Sequence, residues 1–242
     1  ASGKLYCYNF RSQIFYIEGD SLKELIHQLP KVINLTTDSA GNLWVSHNTG
    51  LASYNEATGK WKQYFKQTNG SVVKDEHLVT RLARSNHSGE VYFIGTGELG
   101  VIKLGKHTTY TSSLLKNVLP GKFLLESDKK FLWVFSMEED KVYRFNGITT
   151  AEVKSSTLLR IISKRKITNV RFLSDGCLWI CTYKGIIRYN PDKDEAQLFY
   201  PHLSFSECLI DDENNYWFST LQSGLMMVPD LDIVMWNKEG SI

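Results

Sequence analysis

The stretch DSAGNLWVSHNTGLASYN, Asp38 to Asn55, decides the fold, because its order of residue types returns along the chain. DDENNYWFSTLQSGL, from Asp211 to Leu225, has the same acidic turn, aromatic-centred apolar run, small hydroxyl residue and Gly-Leu. SDGCLWICTYKGIIRYN, from Ser174 to Asn190, is a shorter version. Aligned on the aromatic, the copies centre on Trp44, Tyr92, Trp133, Trp179 and Trp217, at intervals of 48, 41, 46 and 38 residues. Periods of roughly 40 to 50 residues suit a four-stranded propeller blade.

Four strands can be read inside a copy. VINLTT from Val32, VTRLAR from Val79, KFLLES from Lys122, NVRFLS from Asn169 and ECLI from Glu207 are expected as first, innermost strands. A polar turn follows, in which Gly41-Asn42, Gly89-Glu90, Gly176 or Asn214-Asn215 supplies the positive φ that hairpin loops need. The second strands, LWVS, VYFIG, LWVF, LWICT and YWFST, are apolar throughout, so both sheet faces must be covered, and neighbouring blades would cover them. They end in Ser46, Gly95, Ser136, Thr182 and Thr220, small as strands crowding toward an axis require. Gly50, Gly100, Gly185 and Gly224 then open third strands by absorbing turn geometry. KWKQYF from Lys60, HTTYT from His107, AQLFY from Ala196 and DIVMWN from Asp232 are variable fourth, edge strands.

The expectation is an all-β chain: a β-propeller of four-stranded antiparallel blades, with five complete repeats and a partial amino-terminal one, forming one propeller domain over residues 1–242 or a fragment of a larger propeller. The repeats fall near 1–28, 31–66, 78–112, 121–156, 167–201 and 205–238. GKLYCYN and SQIFYI read as a third and a fourth strand, so the chain is expected to begin mid-blade. DSLKELIHQLP, Asp20 to Pro30, carries Ser21 and Glu24 in a capping-box pattern beside Leu22, Leu25 and Ile26, which predicts one or two helical turns.

With 242 residues, 42% apolar and 22% charged, the chain is that of a folded protein with a full core. Formal net charge is +2 and the basic residues are scattered apart from KRK at Lys164 to Lys166, read as a solvated loop, so no nucleic-acid partner is expected. No apolar run reaches membrane-spanning length, and contact with a membrane is expected only through flanking segments that the sequence lacks. Cys7, Cys177, Cys181 and Cys208 lie in apolar, strand-like contexts and read as buried free thiols.

Nothing in the sequence has a catalytic or metal-binding spacing. The six histidines form no zinc motif, and DSAGN and DDENN lack the ligand alternation of calcium loops and read as turns. GTGELG from Gly95 falls between strands rather than before a helix, which makes it a hairpin instead of a phosphate loop. Glu138, Glu139 and Asp140 could supply a carboxylate pair for glycoside cleavage, but a solvated loop is the favoured reading. No metal or cofactor is expected.

The pattern D-x-x-G-N-L-W-V-S-x-x-x-G-L-x-x-Y over Asp38 to Tyr54 resembles the two-component regulator propeller repeat, and ENNYWFSTLQSGLMMVP over Glu213 to Pro229 is similar to the form found in sensor histidine kinases of Bacteroidetes-type bacteria. The resemblance covers about residues 30 to 230. Two copies depart from it: Tyr92 replaces the tryptophan, and the third unit has Asp140-Lys141 where Gly-Leu belongs. What the resemblance implies is a non-catalytic sensory domain in the periplasm, joined through a membrane helix to a histidine kinase, homodimeric in the full-length receptor, and sensing a small molecule or oligosaccharide. Rival readings are a propeller lyase or hydrolase and a protein-interaction scaffold.

A ligand would meet the loops between second and third strands and the polar side chains of the inner strands, which converge at one end of a propeller axis. Loop candidates are His47, Asn48, Glu98, Glu138, Tyr183, Lys184 and Gln222; inner-strand candidates are Asn34, Arg81, Asn169, Arg171 and Glu207. Tyr183 would stack on a sugar ring while amides and carboxylates take its hydroxyls.

Overall fold

The computed structural model describes residues 4–38, 40–64, 81–84, 90–95, 98–103, 106–111, 122–128 and 130–231. The side chains of Arg81, Arg84, Glu98, Lys106, His107, Thr109 and Thr111 lie outside that description. The chain divides into two compact units, Ala1–Val153 and Lys154–Ile242.

The first unit holds four antiparallel meanders, each strand pairing with the next in sequence. Sheet one is β1 (Tyr6–Tyr8), β2 (Ile14–Glu18) and β3 (Ser21–Leu25); sheet two is β4 (Val32–Thr37), β5 (Leu43–His47), β6 (Gly50–Asn55) and β7 (Lys60–Tyr64). Sheet three is β8 (Arg81–Arg84), β9 (Val91–Gly95), β10 (Glu98–Lys103) and β11 (Lys106–Thr111); sheet four is β12 (Phe123–Ser127), β13 (Leu132–Ser136), β14 (Val142–Phe145) and β15 (Thr150–Glu152). The second unit opens with helix α1 (Ser156–Ile162). Sheet five follows as β16 (Ile167–Phe172), β17 (Leu178–Thr182), β18 (Gly185–Asn190) and β19 (Glu195–Phe199), and sheet six as β20 (Phe205–Ile210), β21 (Tyr216–Thr220) and β22 (Leu225–Val228). The expected last edge strand from Asp232 lies outside the described residues.

The uniformly apolar second strands find their cover between sheets. Ile14, Leu43 and Val45 share one core between sheets one and two. Trp44, Leu51, Leu82 and Phe93 fill the next, and Ile94, Leu125, Val134 and Phe145 the one after. In the second unit Trp179, Ile186, Phe205 and Phe218 join sheets five and six. Strands β5, β13 and β17 are buried at every residue, whereas β21 is buried only at Phe218.

Each aromatic is tied to its own turn. The indole Nε1 donates to a turn carboxylate in four copies: Trp44 to Asp38 at 2.9 Å, Trp133 to Asp128 at 2.7 Å, Trp179 to Asp175 at 3.1 Å and Trp217 to Asp211 at 2.7 Å. In the copy that lacks tryptophan, the Tyr92 hydroxyl donates to Glu90 at 3.0 Å, so the departure keeps the link. DSAGN and DDENN are therefore hairpin turns: the Oδ1 atoms of Asp38 and Asp211 accept backbone N–H groups of Asn42 and Asn215 at 2.9 and 2.8 Å.

Several sequence expectations are corrected. Residues 21–25 form strand β3, not helix: Gly19, at φ 59°, turns the chain tightly, and β3 then pairs along β2 from Glu18↔Ser21 to Ile14↔Leu25. Pairing across the sheet satisfies the backbone, and Glu24 accepts from Gln13 Nε2 at 3.1 Å instead of capping. Among the described residues the helix is α1, whose N-cap Ser155 accepts the Leu158 N–H at 2.9 Å while Leu158 and Ile162 point into the core. The first sheet does not begin mid-blade. β1 lies against β4 in the same series as β4 against β8 and β8 against β12, and so takes the inner position. Cys7, on this short strand, is exposed; the other three thiols are buried.

Gly100 does not open its strand. It is the third residue of β10, opposite Phe93, and a Cβ there would come within 2.0 Å of the Phe93 ring, so close approach rather than turn geometry requires glycine. Gly50, Gly185 and Gly224 have φ of 144°, 98° and 76° and serve as turn residues. The third unit manages without one: Ser136 N–H donates to the Lys141 carbonyl at 3.0 Å, and the Ser136 hydroxyl caps Glu139 N–H at 3.0 Å.

Candidate functional site

The inner strands carry a recurring bulge, at Val32/Asn34, Ile167/Asn169 and Phe205/Glu207, which puts Asn34, Asn169 and Glu207 at one register opposite Ser46, Cys181 and Ser219. A bulge re-aims its side chain, and here it aims it at the neighbouring inner strand. In the first unit Asn34 Oδ1 accepts the Leu82 N–H at 3.3 Å. In the second, Glu207 receives Arg171 Nε and Nη2, each at 3.0 Å, Asn169 Nδ2 at 2.8 Å and its own neighbour Cys208 N–H at 3.1 Å. A carboxylate has about four acceptor sites, and these bonds use them. Asn169, Arg171 and Glu207 thus brace β16 to β20; a bidentate guanidinium–carboxylate pair fixes their register more than it offers groups to a ligand.

The loops tell a different story. Tyr183 N–H bonds the Lys166 carbonyl at 3.2 Å, Ser204 Oγ donates to the Tyr183 carbonyl at 2.9 Å, and Leu221 N–H reaches the Ser204 carbonyl at 2.9 Å. These bonds join two loops between second and third strands to the entry of β20 in one ledge. On it Tyr183 is 53% and Leu221 46% exposed, and Lys184 and Gln222 are exposed beside them. The ledge offers an apolar platform with one ammonium and one amide. Thr182 holds its near corner, giving its hydroxyl to the Gly185 carbonyl at 2.7 Å and taking Lys184 N–H at 3.0 Å. Thr220 does the same at the far corner, toward Gly224 at 2.9 Å and Ser223 at 2.7 Å. The hydroxyls of Ser136, Thr182 and Thr220 are therefore loop caps, a role that small size alone did not suggest, whereas Ser46 Oγ is buried without a partner among the described residues.

The structure brings Tyr183, Lys184 and Gln222 together and adds Ser204 and Leu221, which sequence reasoning missed because only tertiary hydrogen bonds set their loops side by side. Arg171 is not part of that group: it lies five residues along the strand from Lys166, about 16 Å at the usual strand rise. In the first unit the equivalent loop position is Asn48, exposed, with its N–H on the Lys31 carbonyl at 3.0 Å. Glu138, expected as a loop candidate, is exposed and pairs with Lys122 at 2.7 Å. His47 is not a loop residue. It ends β5, is 3% exposed, and its Nδ1 sits 3.1 Å from Thr49 Oγ1 while Nε2 is buried without a partner among the described residues. Burial first, and the charge of His27 second, push its pKa down to about 4. The side chains of Arg81 and Glu98 lie outside the described residues. Among the described residues no three His, Cys, Asp or Glu side chains converge as a metal site would need.

With this geometry in hand, the chain can be set beside known proteins. No protein-family model matches it, and no curated protein does. Solved structures do. A catalytically inactive virginiamycin B lyase from Staphylococcus aureus with quinupristin is 19% identical over 94% of this chain and 81% of its own, at a TM-score of 0.66. The extracellular domain described as that of a hybrid two component system from B. thetaiotaomicron is 16% identical over 93% of this chain and 32% of its own, at 0.68. A second such extracellular domain from B. thetaiotaomicron, described as that of a one component system, is 14% identical over 98% and 36%, at 0.69. At these identities the likeness establishes the propeller-type arrangement of sheets and nothing finer. This chain spans about a third of each of the two Bacteroides chains.

Proposed function

We propose that the chain is a non-catalytic ligand-sensing domain, lying outside the cytoplasm and belonging to a two-component sensor histidine kinase, with its sheets as blades of one propeller. Two lines support this. The repeat resembles that of periplasmic sensors, and the fold is shared with extracellular domains described as belonging to Bacteroides signalling systems. Among the described residues no helix is long and apolar enough to cross a membrane.

The observation that carries the reading is the ledge of Tyr183, Lys184, Leu221 and Gln222, held rigidly by Ser204 yet exposed. An aromatic face flanked by an ammonium and an amide suits a carbohydrate fragment, whose apolar ring face stacks while its hydroxyls take and give hydrogen bonds. In the full receptor, assembled as a homodimer, such a ligand would signal by binding one packing of the two chains better than the other.

The test is calorimetry against an oligosaccharide panel, with reducing-end release monitored in the same mixtures. Binding without turnover, weakened about tenfold or more in Tyr183→Ala, is the expected result. Turnover would transfer the chain to the lyase or hydrolase reading, which the likeness to a virginiamycin B lyase favours. Binding that Tyr183→Ala leaves unchanged would remove the ledge from the site.

A further inference from the structure

Helix α1 and the outer strand β19 enclose a groove of about 280 Å³, floored by Ile161, Ala196 and Leu198 and edged by Thr157, Arg160 and Arg165. It lies on the outer strand of sheet five and adjoins the ledge where Leu198 meets Gly185, but it shares no lining residue with the ledge and does not depend on the sensing reading. We propose that this groove is a second binding site, for a small organic monocarboxylate.

Two features select that chemistry. The first is unspent cationic hydrogen-bonding capacity. Arg165 Nη1 donates to the Ile161 carbonyl at 2.7 Å, which holds the guanidinium in place; Nε is closed to solvent and so to a ligand, but the remaining Nη N–H groups have no acceptor among the described residues. Arg160 is exposed, and neither arginine has a carboxylate partner among the described residues. Two acids flank the β19 wall: Glu195, which begins the strand, shares the face of Gln197 opposite Ala196 and Leu198, and Asp194 is already occupied. It accepts from the Ser155 hydroxyl and, at 2.9 Å, from Tyr189 Oη, and these bonds, with one from Thr157, hold its carboxyl below its ordinary range. A guanidinium presents its donors in a planar fork, and a carboxylate accepts two of them at once.

The second feature is the floor. Ile161, Ala196 and Leu198 are half-buried aliphatic side chains, an environment that favours an acid with an apolar body over a fully hydrated ion such as phosphate. The groove's size suits an acid of a few carbons up to a single ring. Ala196 and Leu198 alternate along β19 with Gln197, so the strand's period of two places both on the groove side. Ser155, as N-cap, and the buried Leu158 and Ile162 fix the helix that carries Arg160, and Arg165, beyond the C-cap Ser163, is tied back to it through the Ile161 carbonyl.

The probe is sodium hexanoate, titrated into the full chain and followed through backbone amide shifts at residues 157–165 and 196–198, with sodium phosphate at matched ionic strength in a second arm. The expected result is saturable shifts confined to those residues, with a Kd of about 1 to 10 mM, and at least about tenfold weaker binding of phosphate. Arg165→Gln should weaken hexanoate about tenfold. Because that change also removes the bond to Ile161, Arg160→Gln, at an exposed position, is the second variant, and should weaken binding at unchanged melting temperature. No saturation, equal shifts with phosphate, or full affinity in Arg160→Gln and Arg165→Gln alike would overturn the assignment.

Discussion

Nε1 of Trp44 donates to Oδ2 of Asp38 at 2.9 Å, and the other oxygen of that carboxylate takes the backbone N–H groups of Ala40 and Asn42 at 3.0 and 2.9 Å. One acid therefore closes the hairpin turn and satisfies the buried end of the largest core side chain in its sheet. Because Trp44 is 3% exposed, its indole N–H has no water to fall back on. Asp38→Ala should lower the free energy of unfolding by about 2 to 4 kcal/mol, from the orphaned indole and the lost turn bonds together. Urea denaturation measures this; a loss below about 0.5 kcal/mol would show that the link is incidental. Tyr92→Phe, which releases Glu90 while Lys103 still pairs with that acid at 2.9 Å, should cost only about 1 kcal/mol.

Gly100 and Phe93 face each other across β10 and β9, and the ring occupies the space a methyl group would need. Gly100→Ala is expected to destabilise the chain by about 2 kcal/mol or more through overpacking. Phe93→Leu in the same background should restore part of the loss, since a smaller side chain frees the contact. Equal urea midpoints for Gly100→Ala and the native chain would refute the steric account.

His47 makes stability depend on pH. Its folded pKa, about 4, lies below the ordinary histidine value, so between about pH 6.5 and 4 the unfolded chain binds a proton that the folded chain refuses. Stability from this group is present above that window and falls as pH drops through it, by up to about 3 kcal/mol. His47→Gln should flatten the curve over that interval relative to the native chain. A variant with the same slope as the native protein would assign the dependence to carboxylates instead.

The four thiols should divide by burial. Cys7 is exposed, while Cys177, Cys181 and Cys208 are at most 3% exposed. Burial first and the Asp175 charge second raise the Cys177 thiol; a hydrogen bond with Cys181 first and burial second raise Cys208 well above its usual value. Thiolate is the reactive form, so at neutral pH a disulfide reagent should modify one thiol per native chain rapidly and the remaining three only on unfolding. Rapid modification of more than one thiol in the native chain would contradict the packing of sheets five and six.

How far the sequence could be read follows from which interactions are local. The repeat, its strand order and its turns were legible because each depends on residues close in the chain: Asp38 reaches Trp44 six positions on, and Gly41 and Asn214 take positive φ where the hairpins need it. The capping-box pattern at Ser21 misled because the same local signal serves two backbones. Pairing with β2 decided for a strand, whereas at Ser155 the side chain capped the Leu158 N–H and the helix formed.

The candidate site was legible only in part. Tyr183, Lys184 and Gln222 were found as loop residues, but Arg171 looked equally open to a ligand until Glu207, 36 positions away, was seen to hold it in a brace. His47 looked like a loop side chain until the register of β5 with β6 buried it. What the amino-acid order determined by itself was the unit: a turn acid, a doubly apolar strand and a small residue at its end, each specified by contacts within a few residues. What only the tertiary structure decided was which polar side chains face one another and which face water, because bulges and sheet-to-sheet packing bring together residues that no spacing along the chain relates.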